Sequence, residues 1–173
     1  MAANPKYFAV QEEGVIDNAL FIIERDFKLI LDEFNPIEAL LSPDDPQYME
    51  DFQERALGQI QKLVFPTLAI GPNRNAATES DASDRLHQAV RFDIYIGVTA
   101  DSAPNVTRKL MKYMAALDAT LRSAKKSDWK RNMSAIIFGI VLELEHVYGS
   151  IRERESVYYR DALMQVTLVF NEQ

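Results

Sequence analysis

The stretch from Ala135 to Asn171 constrains the fold of this chain more than any other. Ala135 to Gly149 and Glu155 to Asn171 read as two long β-strands joined by a charged turn, Ser150-Ile151-Arg152-Glu153-Arg154. The even positions of the first strand are apolar (Ile136, Phe138, Ile140, Leu142, Leu144), and its odd positions turn polar at Glu143 and Glu145. The partner strand carries Ala162, Met164, Val166, Leu168 and Phe170 on one face. A period of two is the signature of a strand. Strands in globular proteins usually run about five or six residues; these run about fifteen, or roughly 50 Å at ~3.3 Å per residue. A compact chain of this length has a radius of gyration of about 16 Å and a diameter of roughly 40 Å. The hairpin is therefore expected to overshoot its own domain and to be covered by something outside the chain, which points to assembly more than to catalysis.

The rest of the chain supplies helices to cover one face of a sheet. Gly14 to Phe34 reads as a helix, with Ile16, Leu20, Ile23, Phe27, Ile30, Leu31 and Phe34 at steps of three and four. Asn35-Pro36 breaks or kinks it. Asp45 suits an N-cap and Pro46 a first helical position, which predicts a second helix over 46–64 with Met49, Phe52, Ala56, Ile60 and Leu63 inward. Phe65 to Ile70 reads as a short strand, with Pro66 placing it at an edge or a strand start. Gly71 to Asp84 has turn residues and no periodicity, so a mobile loop is expected there. Leu86 to Val98 alternates as a half-buried antiparallel strand. Asp101-Ser102-Ala103-Pro104 then opens a third helix with the stripe Val106, Leu110, Tyr113, Met114, Leu117 and Leu121. The order predicts one α+β domain over 1–173, its core in 65–171, built on a mostly antiparallel sheet with helices packed on one face.

Composition narrows the function classes. The 173 residues carry 26% charged and 47% hydrophobic side chains, the proportions of an ordinary globular protein. A formal net charge of −7 argues against a protein built to grip nucleic-acid phosphates. The sequence has no cysteine, which removes disulfides, thiol catalysis and zinc–thiolate sites. Met1 to Gln11 has no sustained apolar run, so no signal peptide is expected, and no apolar run is long enough for a bilayer span. Folding in a cytoplasm-like compartment is the expectation.

Chemistry-bearing motifs are sparse. His87 and His146 stand apart at no metal-ligand spacing. Glu143 and Glu145 share one strand face, roughly 7 Å apart by strand rise. They could divide acid and base roles, but nothing nearby suggests the apolar pocket that would raise one pKa, so a solvated or subunit-facing polar surface is the simpler account. Lys125, Lys126, Lys130 and Arg131 surround Trp129, either as a stacking and phosphate-binding cluster or as a basic helix end with Trp129 capping the sheet. Arg152, Glu153, Arg154 and Glu155 alternate in sign at the hairpin tip and are followed by Tyr158, Tyr159 and Arg160, residue types favoured in protein interfaces. These residues, with Glu143, Glu145 and Trp129, form the candidate interface. No phosphate-binding glycine loop or nucleophile elbow is present, so neither an enzyme nor a cofactor is expected.

The order of elements resembles the tail-terminator (tail-completion) proteins of long-tailed bacteriophages. The resemblance lies in the apolar helix Val15 to Phe34, the strand Phe65-Pro66-Thr67-Leu68-Ala69-Ile70 and the loop after it. It continues through the strand Arg91-Phe92-Asp93-Ile94-Tyr95-Ile96, the helix from Ala103-Pro104 and the long final hairpin, and is best from Phe65 to Phe170. The helix over 46–64 looks like an addition to the simplest family pattern. The resemblance implies a homo-oligomer, a hexameric ring that caps the tail tube and offers a docking face to the neck. Its partners would be tail-tube and head-completion proteins, its site the virion, with DNA only as passing cargo and no membrane. Neck and tail-tube proteins of related fold, a dimeric regulatory or ligand-binding α+β domain, and a hydrolase using Glu143, Glu145 or Asp93 remain alternatives.

Overall fold

The computed structural model describes residues 12–34, 47–48, 65–73, 87–131 and 137–172. It holds helices and a mostly antiparallel sheet, the α+β class expected. The strands are β1 (Gln47–Tyr48), β2 (Thr67–Pro72), β3 (His87–Ala100), β4 (Ile137–Tyr148), β5 (Arg152–Arg154) and β6 (Val157–Glu172). Their spatial order is β1-β2-β3-β6-β4, with β5 also pairing β6. All pairings are antiparallel except β1 with β2. Because β6 lies antiparallel between β3 and β4, those two run parallel, and the connection between them carries the long helix α3 (Ala103–Ser123).

One face of the sheet makes the core, for the reason the alternation predicts. Val90, Phe92, Ile94, Ile96 and Val98 of β3 stand beside Ala162, Met164, Val166, Leu168 and Phe170 of β6, all buried. Helix α3 packs on β3 and β6, and its stripe Val106, Leu110, Tyr113, Met114, Leu117 and Leu121 is buried as expected. Its start is set by Ser102, whose hydroxyl accepts from the Asn105 amide at 3.4 Å, and by Pro104 in the first turn.

The N-terminal helix is continuous but not uniform. It comprises α1 (Glu12–Ile22), a π-helical turn (Ile23–Phe27) and α2 (Lys28–Phe34), with Ile22 and Lys28 both in right-handed helical conformation. The wider turn takes in an additional residue. The buried stripe therefore steps by four through Ala19, Ile23, Phe27 and Leu31, joined by Val15, Ile16 and Ile22. A uniform helix would have kept Ile30 and Phe34, both beyond the wider turn, in line with that stripe. Leu20 and Ile30 are only half-buried and Phe34 is 44% exposed.

Several expectations need correcting. Gln47 and Tyr48, assigned to a helix begun by Pro46, instead form β1 beside Ala69 and Ile70; the rest of that helix lies outside the described residues. Gly71 and Pro72 belong to β2 instead of opening a loop, because Gly71 and Pro72 register with Asp93 and Phe92; positions 74–84 lie outside the described residues. The turn expected over 150–154 is largely the strand β5, and the reversal falls on Glu155 and Ser156, both at positive φ. The hairpin does not overshoot either. Strand β3 accompanies β6 along its whole 14 residues, from the pair His87 and Asn171 to the pair Ala100 and Tyr158. What the hairpin leaves uncovered is a flank: β4 is the last strand in the sheet order.

Candidate assembly surface

Among the described residues, strand β4 has an open edge. The Gly149 amide donates to the Asp161 carbonyl at 2.9 Å, in the same register as Tyr148 with Ala162. In an antiparallel ladder the bonded pairs alternate, so odd residues of β4 bond β6 and even residues turn their N–H and C=O groups outward. Ile140, Leu142, Leu144, His146 and Tyr148 thus carry the outward groups, and no described strand lies beyond them. Residues 145–148, with Val141 and Glu143, are exposed. An edge of this length is a ready template for another strand.

Exposed apolar side chains gather on the same hairpin. Val141 is 48% exposed, Val147 46% and Ile151 42%, with Tyr148 and Val157 close behind. A second exposed apolar set belongs to the helical layer: Leu29 and Phe34 of α2, and Met111 of α3, on which α2 packs. Period two already placed Val141 and Val147 on the face of Glu143 and Glu145. That they flank the glutamates on an open edge depended on β6 inserting between β3 and β4, which no local pattern encodes.

The candidate interface residues divide between solvent and the chain itself. Glu143, Glu145, Glu153, Arg154 and Glu155 are exposed, and Arg152 is half-exposed. Neither Glu143 nor Glu145 pairs with a described residue. Arg152 lies 3.3 Å from Asp161, whose second contact is the Tyr95 hydroxyl at 3.3 Å. Burial, with the Asp161 charge next in weight, pushes the Tyr95 phenol far above its ordinary value.

Tyr158, Tyr159, Arg160 and Trp129 are less available than expected. Tyr158 packs against the core cluster, and the nearby Glu153 charge raises its phenol. Tyr159 meets the edge of the Phe65 ring at 5.6 Å between centroids. Arg160 clamps the hairpin base to α3: its Nε donates to the Gly149 carbonyl at 3.0 Å and its Nη1 to Thr107 Oγ1 at 2.9 Å. Trp129 is a core residue, 3% exposed in the short helix α4 (Lys126–Trp129), and is withdrawn from the interface.

Other polar groups make local pairs. His146 approaches Asp118 at 3.1 Å, and Asp118 also holds Arg122 one helical turn on. The backbone of His87 opens β3, and its side chain lies outside the described residues. Asp93 is buried at 7% exposure and accepts from Asn73 Nδ2 at 3.0 Å; burial raises its carboxyl and the Asn73 bond partly offsets this. An open cleft of about 530 Å³ is lined by Arg25, Asp26, Ser123, Lys125, Ser127 and Asp128. Its Arg25 is bound to both aspartates, so its charges face one another. No group of His, Asp or Glu among the described residues could hold a metal ion. No described helix is long and apolar enough to cross a membrane.

Searches with the sequence find no protein-family model and no curated protein that matches it.

Proposed function

We propose that this chain is a structural virion subunit, a ring-forming tail terminator that caps the phage tail tube and joins it to the neck. The observation that carries this reading is that large apolar side chains are exposed on two separate elements. Val141, Val147 and Ile151 lie exposed on the open hairpin, and Leu29, Phe34 and Met111 lie exposed on the helical layer. A ring needs a heterologous contact, with a different patch on each side of every subunit. Exposed apolar side chains on two different elements suit that requirement, and the open β4 edge adds main-chain bonding capacity. The acidic balance of the chain suits a wall that lets DNA pass without holding it.

The test is light-scattering mass over concentration and salt, with negative-stain images, with and without a phage tail-tube protein. A closed ring of about 118 kDa, six copies of 19.7 kDa, is expected at one end of the tube. Bare tube ends and a mass that never exceeds two copies would overturn the reading. They would favour a dimeric regulatory or ligand-binding domain instead.

A further inference from the structure

We propose that the β4–β5 edge is closed in the free protein by a second copy of this chain, antiparallel about a two-fold axis perpendicular to the sheet. In this contact Glu143 lies opposite the partner's Arg154 and Glu145 opposite the partner's Arg152. The contact needs only the free edge and stands apart from the tail-terminator reading.

Three features of the edge select this register. The first is the phase of the backbone. Even residues of β4 face outward, as the Gly149 bond to Asp161 requires. On β5 the two-residue turn makes Arg154 and Val157 a bonded pair, so Arg152 bonds Tyr159 and Glu153 faces outward. Leu144 and the partner's Glu153 then meet as two outward residues able to exchange both main-chain bonds.

The second feature is the face. Glu143 and Glu145 register with Thr167 and Gln165, while Arg152 and Arg154 register with Tyr159 and Val157. Odd residues of β6 share one face, so the four charges do too. The odd-to-even change along the edge comes from one additional residue between Tyr148 and Arg152, which face Ala162 and Tyr159. A two-fold axis perpendicular to the sheet keeps that face common to both copies.

The third feature is charge. The two glutamates and the two arginines have the same spacing, so one antiparallel register sets each glutamate opposite an arginine, with Arg152 shared with its own Asp161 at 3.3 Å, and the symmetry repeats both pairs. The competing pairing of β4 on β4 about Leu144 sets Glu143 against the partner's Glu145, like charges directly opposite, which is destabilising. Strand β4 carries no Lys and no Pro, common devices that blunt an edge. While the two-fold contact holds, the hairpin is withdrawn from other neighbours, so the pair and a ring compete for the same surface.

Sedimentation of the full chain tests the contact. A salt-weakened species of two 19.7 kDa copies is expected. Glu143→Arg with Glu145→Arg, or Arg152→Glu with Arg154→Glu, should each weaken it at least about tenfold, and all four substitutions together should restore it. The chain lacks cysteine, so a chain with Glu145→Cys mixed with one carrying Arg152→Cys gives a clean second readout. Opposed residues of this kind have Cα atoms about 4.5 Å apart, within disulfide reach. Oxidation should link the two chains, whereas Val141→Cys mixed with Arg152→Cys, out of register, should not link. A strict monomer, a pair indifferent to both charge reversals, or equal linking out of register would each overturn the proposal. A ring on the tube from a chain that forms no pair in solution would remove the edge contact and leave the tail-terminator reading intact. A pair that responds as stated beside bare tubes would do the opposite.

Discussion

Arg25 closes on Asp128 across 103 residues of sequence, its Nη1 and Nη2 lying 3.2 and 2.9 Å from the two carboxylate oxygens. The same guanidinium grips Asp26 and leans over Phe21, which Arg131 covers at 3.9 Å from the ring centroid. About two turns before Arg25, Asn18 Nδ2 donates to the carbonyls of Trp129 and Arg131, both at 3.0 Å. These contacts stitch the N-terminal helix to α4 and hold Trp129 in the core. The basic cluster read from sequence is thus bound up with the fold on its α1 side.

Asn18 should matter more to stability than Arg25 or Asp128. It is 3% exposed, and Asn18→Ala leaves two carbonyls without their donor, at a cost of about 1–3 kcal/mol. Asp128→Ala removes a pair that is open to water and should cost less. Arg25, the largest cause, holds the Asp128 carboxyl below its ordinary range. Its folded pKa lies below its unfolded one, so the Asp128 contribution is present above about pH 4 and is lost as pH falls through the folded value. Urea unfolding at pH 7 and pH 3 should show the gap between wild type and Asp128→Ala closing in acid. A gap that stays constant would mean the carboxylate charge is idle.

Gly149 is required by Asp161. A Cβ at position 149 would overlap Asp161 Oδ1, which is buried and has no hydrogen-bond donor among the described residues. Gly149→Ala must therefore push the carboxylate away from Arg152 and Tyr95, at about 1–3 kcal/mol, the range for overpacking. Pairing it with Asp161→Gly should recover most of that loss in a thermal double-mutant cycle. Additive costs would show that the clash is relieved elsewhere.

Much of this architecture was legible because burial and periodicity coincide. The even residues of β6 and the stripe of α3 needed only their spacing. The tip departs from its pattern because Arg152-Glu153-Arg154 is charged, and a charged run points to a turn. In the structure Arg152 is drawn onto the sheet by Asp161, a partner on the opposite strand. Of the two readings of Trp129, the interface one fails: its neighbours in sequence are cationic, yet α4 turns it into the core. The open edge could not be read at all, since strand order is set by the sheet as a whole.

Asp93 offers a pH-dependent prediction of opposite sign to Asp128. Burial raises its carboxyl, so the folded pKa lies above the unfolded one. Such a group costs nothing below the unfolded value, and its penalty grows as pH rises through the folded value. Asp93→Asn keeps an oxygen for Asn73 and removes the buried charge. It should stabilise the protein at pH 7, by about 1 kcal/mol or less, and give no gain at pH 3. Chemical denaturation at the two values checks this. A loss at neutral pH would show that the charge serves a bond beyond Asn73, and would revive the reading of Asp93 as a reactive carboxylate.

The hairpin turn holds its own reserve of stability. Glu155 and Ser156 lie at φ of 50° and 64°, the left-handed region required at both central positions of a type I′ turn. Side chains of L-residues resist that region, whereas asparagine tolerates it and glycine is unhindered there. Glu155→Asn with Ser156→Gly should raise stability by about 1 kcal/mol or more, seen as a higher thermal midpoint. The substitution leaves Arg152 and Arg154 in place, so any two-copy species should keep its affinity. A stabler hairpin with weakened association would instead mean that Glu155 or Ser156 itself touches the second copy, and the contact would have to extend to the tip.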